Sequence, residues 1–136
     1  AERLKKTIGS AFPMEQEKTL EVAGRDTLSL MPRKAIVNSD EIREALQEPL
    51  RTVLGTIMDC LEAAPPEIGA DLLESGIVVV GGGALLPGLA EFIADGTGIP
   101  CRIDDDPLTA VARGTAGFLE NLDLYGSFLS EADDLA

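Results

Sequence analysis

Residues 77–88 read Ile77-Val78-Val79-Val80-Gly81-Gly82-Gly83-Ala84-Leu85-Leu86-Pro87-Gly88: four β-favouring apolar residues, three consecutive glycines, and an apolar run broken by proline. A segment apolar on both faces is what a central strand covered on each side requires. The glycines then permit a turn too tight for side chains, and Pro87 suits the first turn of a helix reaching to about Ala94. Gly96 and Gly98 close that helix, and residues 99–103 form the next strand. A last helix opens in DDDPLTAVARGTAGFLENL, with Asp105 or Asp106 as cap and Pro107 at its first position. Strand, helix, strand, helix is a parallel βαβ unit, so the fold class is α/β. The acidic tail after Tyr125 is expected to fray.

Upstream of this unit the pattern changes. Leu4, Ile8 and Phe12 recur every four residues, one apolar stripe on a helix that Pro13 ends. That helix has no capping residue ahead of it and reads as the continuation of something earlier in a longer chain. From Thr19 to Val37, Leu20 and Val22 alternate with polar or small neighbours, Gly24-Arg25-Asp26 supplies turn chemistry, and Leu28, Leu30, Ile36 and Val37 resume. An antiparallel pair or three short strands follows, with Pro32 at an edge or bulge. Asn38-Ser39-Asp40-Glu41 is a helix start in which Asn38 accepts from the amide of Glu41 while the Glu41 carboxylate reaches back. Apolar positions from Ile42 to Leu61 make this helix amphipathic, and Pro49 predicts a kink or two consecutive helices. Pro65-Pro66 stops it, and a short helix over about 66–74 leads to Ile77. The architecture is a βαβ core preceded by a small strand-plus-helix insert.

Composition narrows the chemistry. The chain has 136 residues, 11 basic and 24 acidic, for a net charge of −13. That balance opposes nucleic acid, whose phosphates need a basic footprint, and electrostatic docking on anionic lipid. There is no histidine, and Cys60 and Cys101 stand far apart, so a zinc site and a histidine-based triad are excluded. Both cysteines read as small buried hydrophobes in a reducing compartment. No apolar run approaches the ~20 residues that span a bilayer, and no signal-peptide pattern opens the chain, which reads as soluble and cytoplasmic.

The glycine run fails both common nucleotide signatures. G-x-G-x-x-G would need a third glycine where Leu86 stands, leaving Asp104 as weak support for a ribose-binding acid. A Walker loop needs a nearby lysine, and there is none. The residues alone leave two readings: a tight strand-to-helix turn with no ligand, or a backbone surface against which a ligand lies.

The runs AERLKKTIGSAFP, NSDEI, EALQEPL, PPEI, GGGALLPGL, TGIP and DPLTAVARGTAGFLEN, in that order, resemble the C-terminal portion of MreB-like bacterial actins. The resemblance reaches from the first helix to about Leu122. It implies the C-terminal lobe of the actin-like fold, with residues 1–12 and 62–136 as the subdomain IIA core and 13–61 as the inserted subdomain IIB. It also implies an ATP-binding, magnesium-dependent cytoskeletal protein that assembles into filaments with copies of itself or related subunits, aided by adaptor proteins. Carried over by position, Glu2, Arg3, Leu4 and Lys5 lie beside the adenosine. Gly82, Gly83, Ala84 and Leu85 form the turn on its other side, with Gly81 shaping that turn.

The family's phosphate hairpins, magnesium-organising aspartates and membrane anchors have no counterpart in these residues. The chain alone is therefore expected to bind nucleotide weakly and to turn over no ATP. An actin-lobe interaction module that docks on or caps a filament without nucleotide is the alternative. A Rossmann enzyme is opposed by Leu86, and a sugar kinase or chaperone by EALQEPL and DPLTAVARG. Arg113 reads as part of a packed helix, and Arg33 and Lys34 as rim charges on the insert.

Overall fold

The computed structural model describes residues 1–126; of the tail after Tyr125 that is expected to fray, all but Gly126 lies outside the described residues. In chain order the elements are α1 (Glu2–Ile8), β1 (Thr19–Arg25), β2 (Pro32–Asn38), α2 (Ser39–Ala63), α3 (Pro66–Ser75), β3 (Ile77–Val79), a 3-10 turn (Gly82–Leu85), α4 (Leu89–Thr97), β4 (Cys101–Ile103), α5 (Ala110–Glu120) and α6 (Leu122–Tyr125). β1 and β2 pair antiparallel, with Thr19 opposite Asn38 and Arg25 opposite Pro32. β3 and β4 pair parallel, Ile77 opposite Cys101, across the α4 crossover. The mixed architecture is α/β with the expected βαβ unit.

Local chemistry explains most boundaries. Asn38 accepts from the Glu41 amide at 2.8 Å while Glu41 accepts from the Asn38 amide at 2.9 Å, a complete capping box at the start of α2. Pro32 takes the first position of β2, where its missing N–H costs least. Gly24 and Arg25 belong to β1 rather than the turn. The turn begins at Asp26, whose carboxylate accepts from the amides of Leu28 and Ser29. Leu30 in that turn has φ +58°, a left-handed conformation costing a non-glycine residue about 1–3 kcal/mol.

Several expectations are corrected. α1 ends at Ile8, not at Pro13, because Gly9 leaves helical geometry with φ −73° and ψ 147°. α2 continues through Pro49 as one helix rather than two consecutive helices. An interior proline costs roughly 3 kcal/mol, but Leu46, Leu50 and Ile57 on both sides of it pack into one core. Ala45, whose carbonyl loses its donor, is an exposed residue. Pro87 does not enter the helix that follows it: Gly88 caps α4 in the left-handed region, and α4 continues through Gly96 to Gly98. Finally, α5 starts at Ala110 rather than at Pro107, because Asp106 instead accepts from the Thr109 hydroxyl at 2.5 Å and holds residues 106–109 as a turn. Cys60 is exposed, not buried, and Cys101 is half-buried.

The core gathers Ala11, Leu50, Leu89 and Ile93, with Ile77, Val79 and Phe92 packed against it. α2 thus presses on α4, and at Gly96 the approach is so close that a Cβ would lie 2.5 Å from the Leu54 side chain. β3 is not covered on both sides within this chain: Val78 and Val80 are 40% and 42% exposed. Among the described residues β4 is its only strand partner.

A polar knot fixes the hairpin to this core. Ser10 and Ser39 are fully buried. Arg43 donates to Ser10 Oγ at 3.0 Å and bridges Glu17 at 2.6 Å and Asp40 at 2.7 Å. Ser39 accepts from the Lys18 amide at 2.8 Å and donates to Glu17. The Ser39 hydroxyl first, and then Arg43, holds the Glu17 carboxyl below its usual value of 4.5. The unfolded chain therefore binds the extra proton between the two values.

Asn38→Ala should lower stability by about 1 kcal/mol, read as a shift of a few degrees in the melting curve. The stability advantage over Glu17→Gln should be complete at neutral pH and shrink as pH falls below 4.5. A constant difference across pH 3–7 in denaturant titrations would refute the role given to Glu17.

Candidate functional site

Helix α1 carries the first group of candidate residues. Glu2 bridges Lys5 at 3.1 Å and Lys6 at 3.4 Å, pairs one turn apart on an exposed face. The hydrogen bond from Lys5 is the main reason the Glu2 carboxyl titrates below its usual range. Leu4 and Lys5 are half-buried and Arg3 is exposed. Glu2, Leu4 and Lys5 face Ile42 and Leu46 of α2 across a cleft of about 280 Å³.

The second group follows β3. Gly81 has φ +83° and ψ −179°, a region essentially reserved for glycine, and its amide donates to the Pro107 carbonyl at 2.6 Å. The chain then enters the 3-10 turn, with Ala84 N–H to Gly81 O at 3.2 Å and Leu86 N–H to Gly83 O at 3.0 Å. Ala84 is buried and Leu85 is 59% exposed.

Gly82 and Gly83 differ from Gly81. Neither has a positive φ. A Cβ on Gly82 would make ordinary contact with Leu108 at 3.9 Å, and one on Gly83 would meet nothing within 4 Å. Backbone conformation and packing within the chain therefore do not explain glycine at these two positions. An open surface free of side chains is what a ligand lying against the backbone needs.

The structure does not gather the two groups into one cavity. The cleft on α1 contains none of the glycine-turn residues. The groove of about 440 Å³ that includes Gly83 and Ala84 is lined by β3, α2 and α4 residues instead. The groups are joined through residues 10–12, where the Ala11 amide donates to the Pro87 carbonyl at 2.7 Å. Gly88, with φ +76°, lies so close to Phe12 that a Cβ would sit 2.8 Å from its backbone nitrogen.

Sequence reasoning missed the supports. Asp104 accepts from the Asp106 amide at 2.9 Å and from Arg113, and its own amide donates to Val79 O at 3.1 Å. Those partners, the Asp106 amide foremost, lower its carboxyl below the usual value. Asp104 and Arg113 thus brace the 104–109 turn whose Pro107 carbonyl holds Gly81. No spacing rule announces such a brace, because its members meet only when β4 and α5 fold back beside β3. Among the described residues no group of three or more His, Cys, Asp or Glu could hold a metal ion. No described helix is long and apolar enough to cross a membrane.

Comparison with known proteins places this geometry. The structure superposes on MreB5 of Spiroplasma citri bound to ADP with a TM-score of 0.84 and 34% identity, covering 89% of this chain and 37% of that one. It superposes on the same protein bound to AMPPNP with a TM-score of 0.83, covering 90% and 37%. The fold is therefore that of an actin-like α/β protein. Residues 1–127 match the family model described as MreB/Mbl protein. The chain is 46% identical over 129 residues to the cell shape-determining protein MreB of Escherichia coli K12, covering 95% of this chain and 37% of the relative. It is 37% identical over 123 residues to the cell shape-determining protein Mbl of Bacillus subtilis, covering 90% and 37%. The chain belongs to the MreB/Mbl family of cytoskeletal, actin-like, cell shape-determining proteins, and spans 37% of the length of these relatives.

Gly81→Ala should destabilise the fold by about 1–3 kcal/mol, the cost of forcing a side chain into that backbone region. Gly83→Ala, with open space before it, should stay within about 0.5 kcal/mol of the unmodified protein in chemical denaturation.

Proposed function

We propose that this chain is the C-terminal lobe of a cytoplasmic MreB-type protein whose filament assembly depends on adenine nucleotide. Residues 1–12 and 62–136 form the subdomain IIA core, and 13–61 form the subdomain IIB insert. The lobe supplies the adenosine side of the ATP site: Glu2, Arg3, Leu4 and Lys5 on one side, Gly82, Gly83, Ala84 and Leu85 on the other, with Gly81 setting the turn. The observation that carries this reading is the pair Gly82 and Gly83, bare of side chains where neither φ nor packing requires it. The ADP and AMPPNP bound in the two Spiroplasma citri structures support adenine nucleotide as the ligand. Phosphate and magnesium contacts are assigned to parts of the family's length that this chain does not span. Subunits of the same kind, and cytoskeletal adaptor proteins, are the proposed partners.

Filament formation is tested by sedimentation with and without ATP and magnesium, using full-length protein. The unmodified protein should pellet with nucleotide. Gly83→Leu should retain its melting temperature yet lose binding of a fluorescent adenine nucleotide by tenfold or more, about 1.4 kcal/mol. Retention of that binding would overturn the site. Pelleting that ignores nucleotide would favour a nucleotide-independent interaction module. The 136-residue chain should release no phosphate from ATP.

A further inference from the structure

The turn between β4 and α5 carries a chain of hydrogen bonds that ends on the glycine turn. The Arg113 guanidinium, in the first turn of α5, donates to Asp104 Oδ1, and the Asp106 amide donates to the same oxygen at 2.9 Å. The Asp104 amide donates to Val79 O at 3.1 Å, continuing the β3–β4 ladder past Ile103. Thr109 closes the other end of the turn onto Asp106, through its amide at 3.3 Å and its hydroxyl at 2.5 Å. This frame presents the Pro107 carbonyl, which accepts from the Gly81 amide at 2.6 Å. Gly81 O accepts in turn from the Ala84 amide at 3.2 Å, so the chain of bonds spans the bare pair Gly82 and Gly83.

Stability does not account for the Asp104–Arg113 pair. The Arg113 side chain is 52% exposed and that of Asp104 24%, and an ion pair so open to water adds little to folding. The core is built by other residues, Ala11, Leu50, Leu89 and Ile93. Gly81, by contrast, needs a hold from outside. Glycine enters its region of φ +83° at little cost and leaves it as readily. The path of the glycine turn is therefore set by what bonds the Gly81 amide, and that is the Pro107 carbonyl.

We infer that Asp104 and Arg113 are positioning residues for the adenine nucleotide, acting through Pro107 and Gly81 to hold the Gly82–Gly83 backbone in the geometry the ligand lies against. This rests on the nucleotide site proposed above. A turn that samples other geometries is competent only part of the time, and its apparent affinity falls by that fraction. The glycine turn lies on the adenosine side, so the loss is the same for adenosine and for ATP. A guanidinium in contact with phosphate would instead separate the two ligands, because its charge-assisted bonds form only where phosphate is present.

Ligand titrations of the full-length protein supply the test. Arg113→Met should raise Kd for adenosine and for ATP by the same factor, about fivefold. Its melting temperature should stay within about 3 °C of the unmodified protein. Arg113→Lys, which keeps a cation within reach of Asp104, should recover most of the affinity. Asp104→Asn should weaken binding to a similar extent, and the double variant Asp104→Asn with Arg113→Met should bind no more weakly than either single variant, because both break one chain. Unchanged affinity in Arg113→Met, or losses that add in the double variant, overturns the inference. So does a loss confined to ATP, which would make Arg113 a phosphate ligand, and so does a loss that tracks a large fall in melting temperature and is not recovered by lysine. Gly83→Leu separates this inference from the reading it rests on. If Gly83→Leu loses binding while Arg113→Met keeps it, the site stands and the positioning role falls; if both keep it, the site falls and the positioning role with it.

Discussion

The structure depends on a close passage between two segments distant in sequence. Residues 10–12, leaving α1, run so near Gly88 that no side chain fits there, and the Ala11 amide donates to the Pro87 carbonyl at 2.7 Å. Gly88 must be glycine twice over, for space and for its left-handed φ. Around this crossing Ala11, Leu50, Leu89 and Ile93 make one core. It draws together α1, the hairpin-bearing insert and the βαβ unit, which would otherwise be three separate pieces too small to stand alone.

Two polar assemblies support what surrounds that crossing. Arg43 and Ser39 tie the hairpin's base to residues 10–18. Asp104 and Arg113 brace the turn whose Pro107 carbonyl accepts from the Gly81 amide. In the first, Arg43 and the Lys18 amide satisfy the buried Ser10 and Ser39 hydroxyls, and no buried side-chain polar atom is unpartnered among the described residues. The two outward features, the bare glycine surface and the hairpin tip with Leu28 95% exposed, are each backed by hydrogen-bonded backbone.

Much of the fold was legible in the residues. The capping box at Asn38 and Glu41 lies within four residues, and the strands of the antiparallel hairpin and of the parallel βαβ unit each carry their own apolar pattern and turn residues, which the sequence records even though their pairing partners are distant. Boundaries that depended on distant contacts were misjudged. Pro49 reads locally as a break, yet core burial on both sides of it outweighs the lost hydrogen bond. Pro87 reads as a helix start, yet the Phe12 crossing makes Gly88 the cap and delays α4 to Leu89. Of the candidate site, the glycine run was visible as a motif, whereas the Asp104–Arg113 brace and the contrast between Gly81 and its two neighbours were not.

By itself, then, the sequence determined the α/β class, the order of elements and the family, because propensity, capping and motif order are local properties of the chain. Only the tertiary structure decided that Gly82 and Gly83 have no internal reason to be glycine. It alone placed α1 and the glycine turn on separate walls joined through residues 10–12. It also revealed the exposed apolar tip of the hairpin. The physical reason is common to all three: whether a glycine is crowded, two elements adjoin or a leucine is covered depends on atoms remote in the chain, and nothing local encodes their distance.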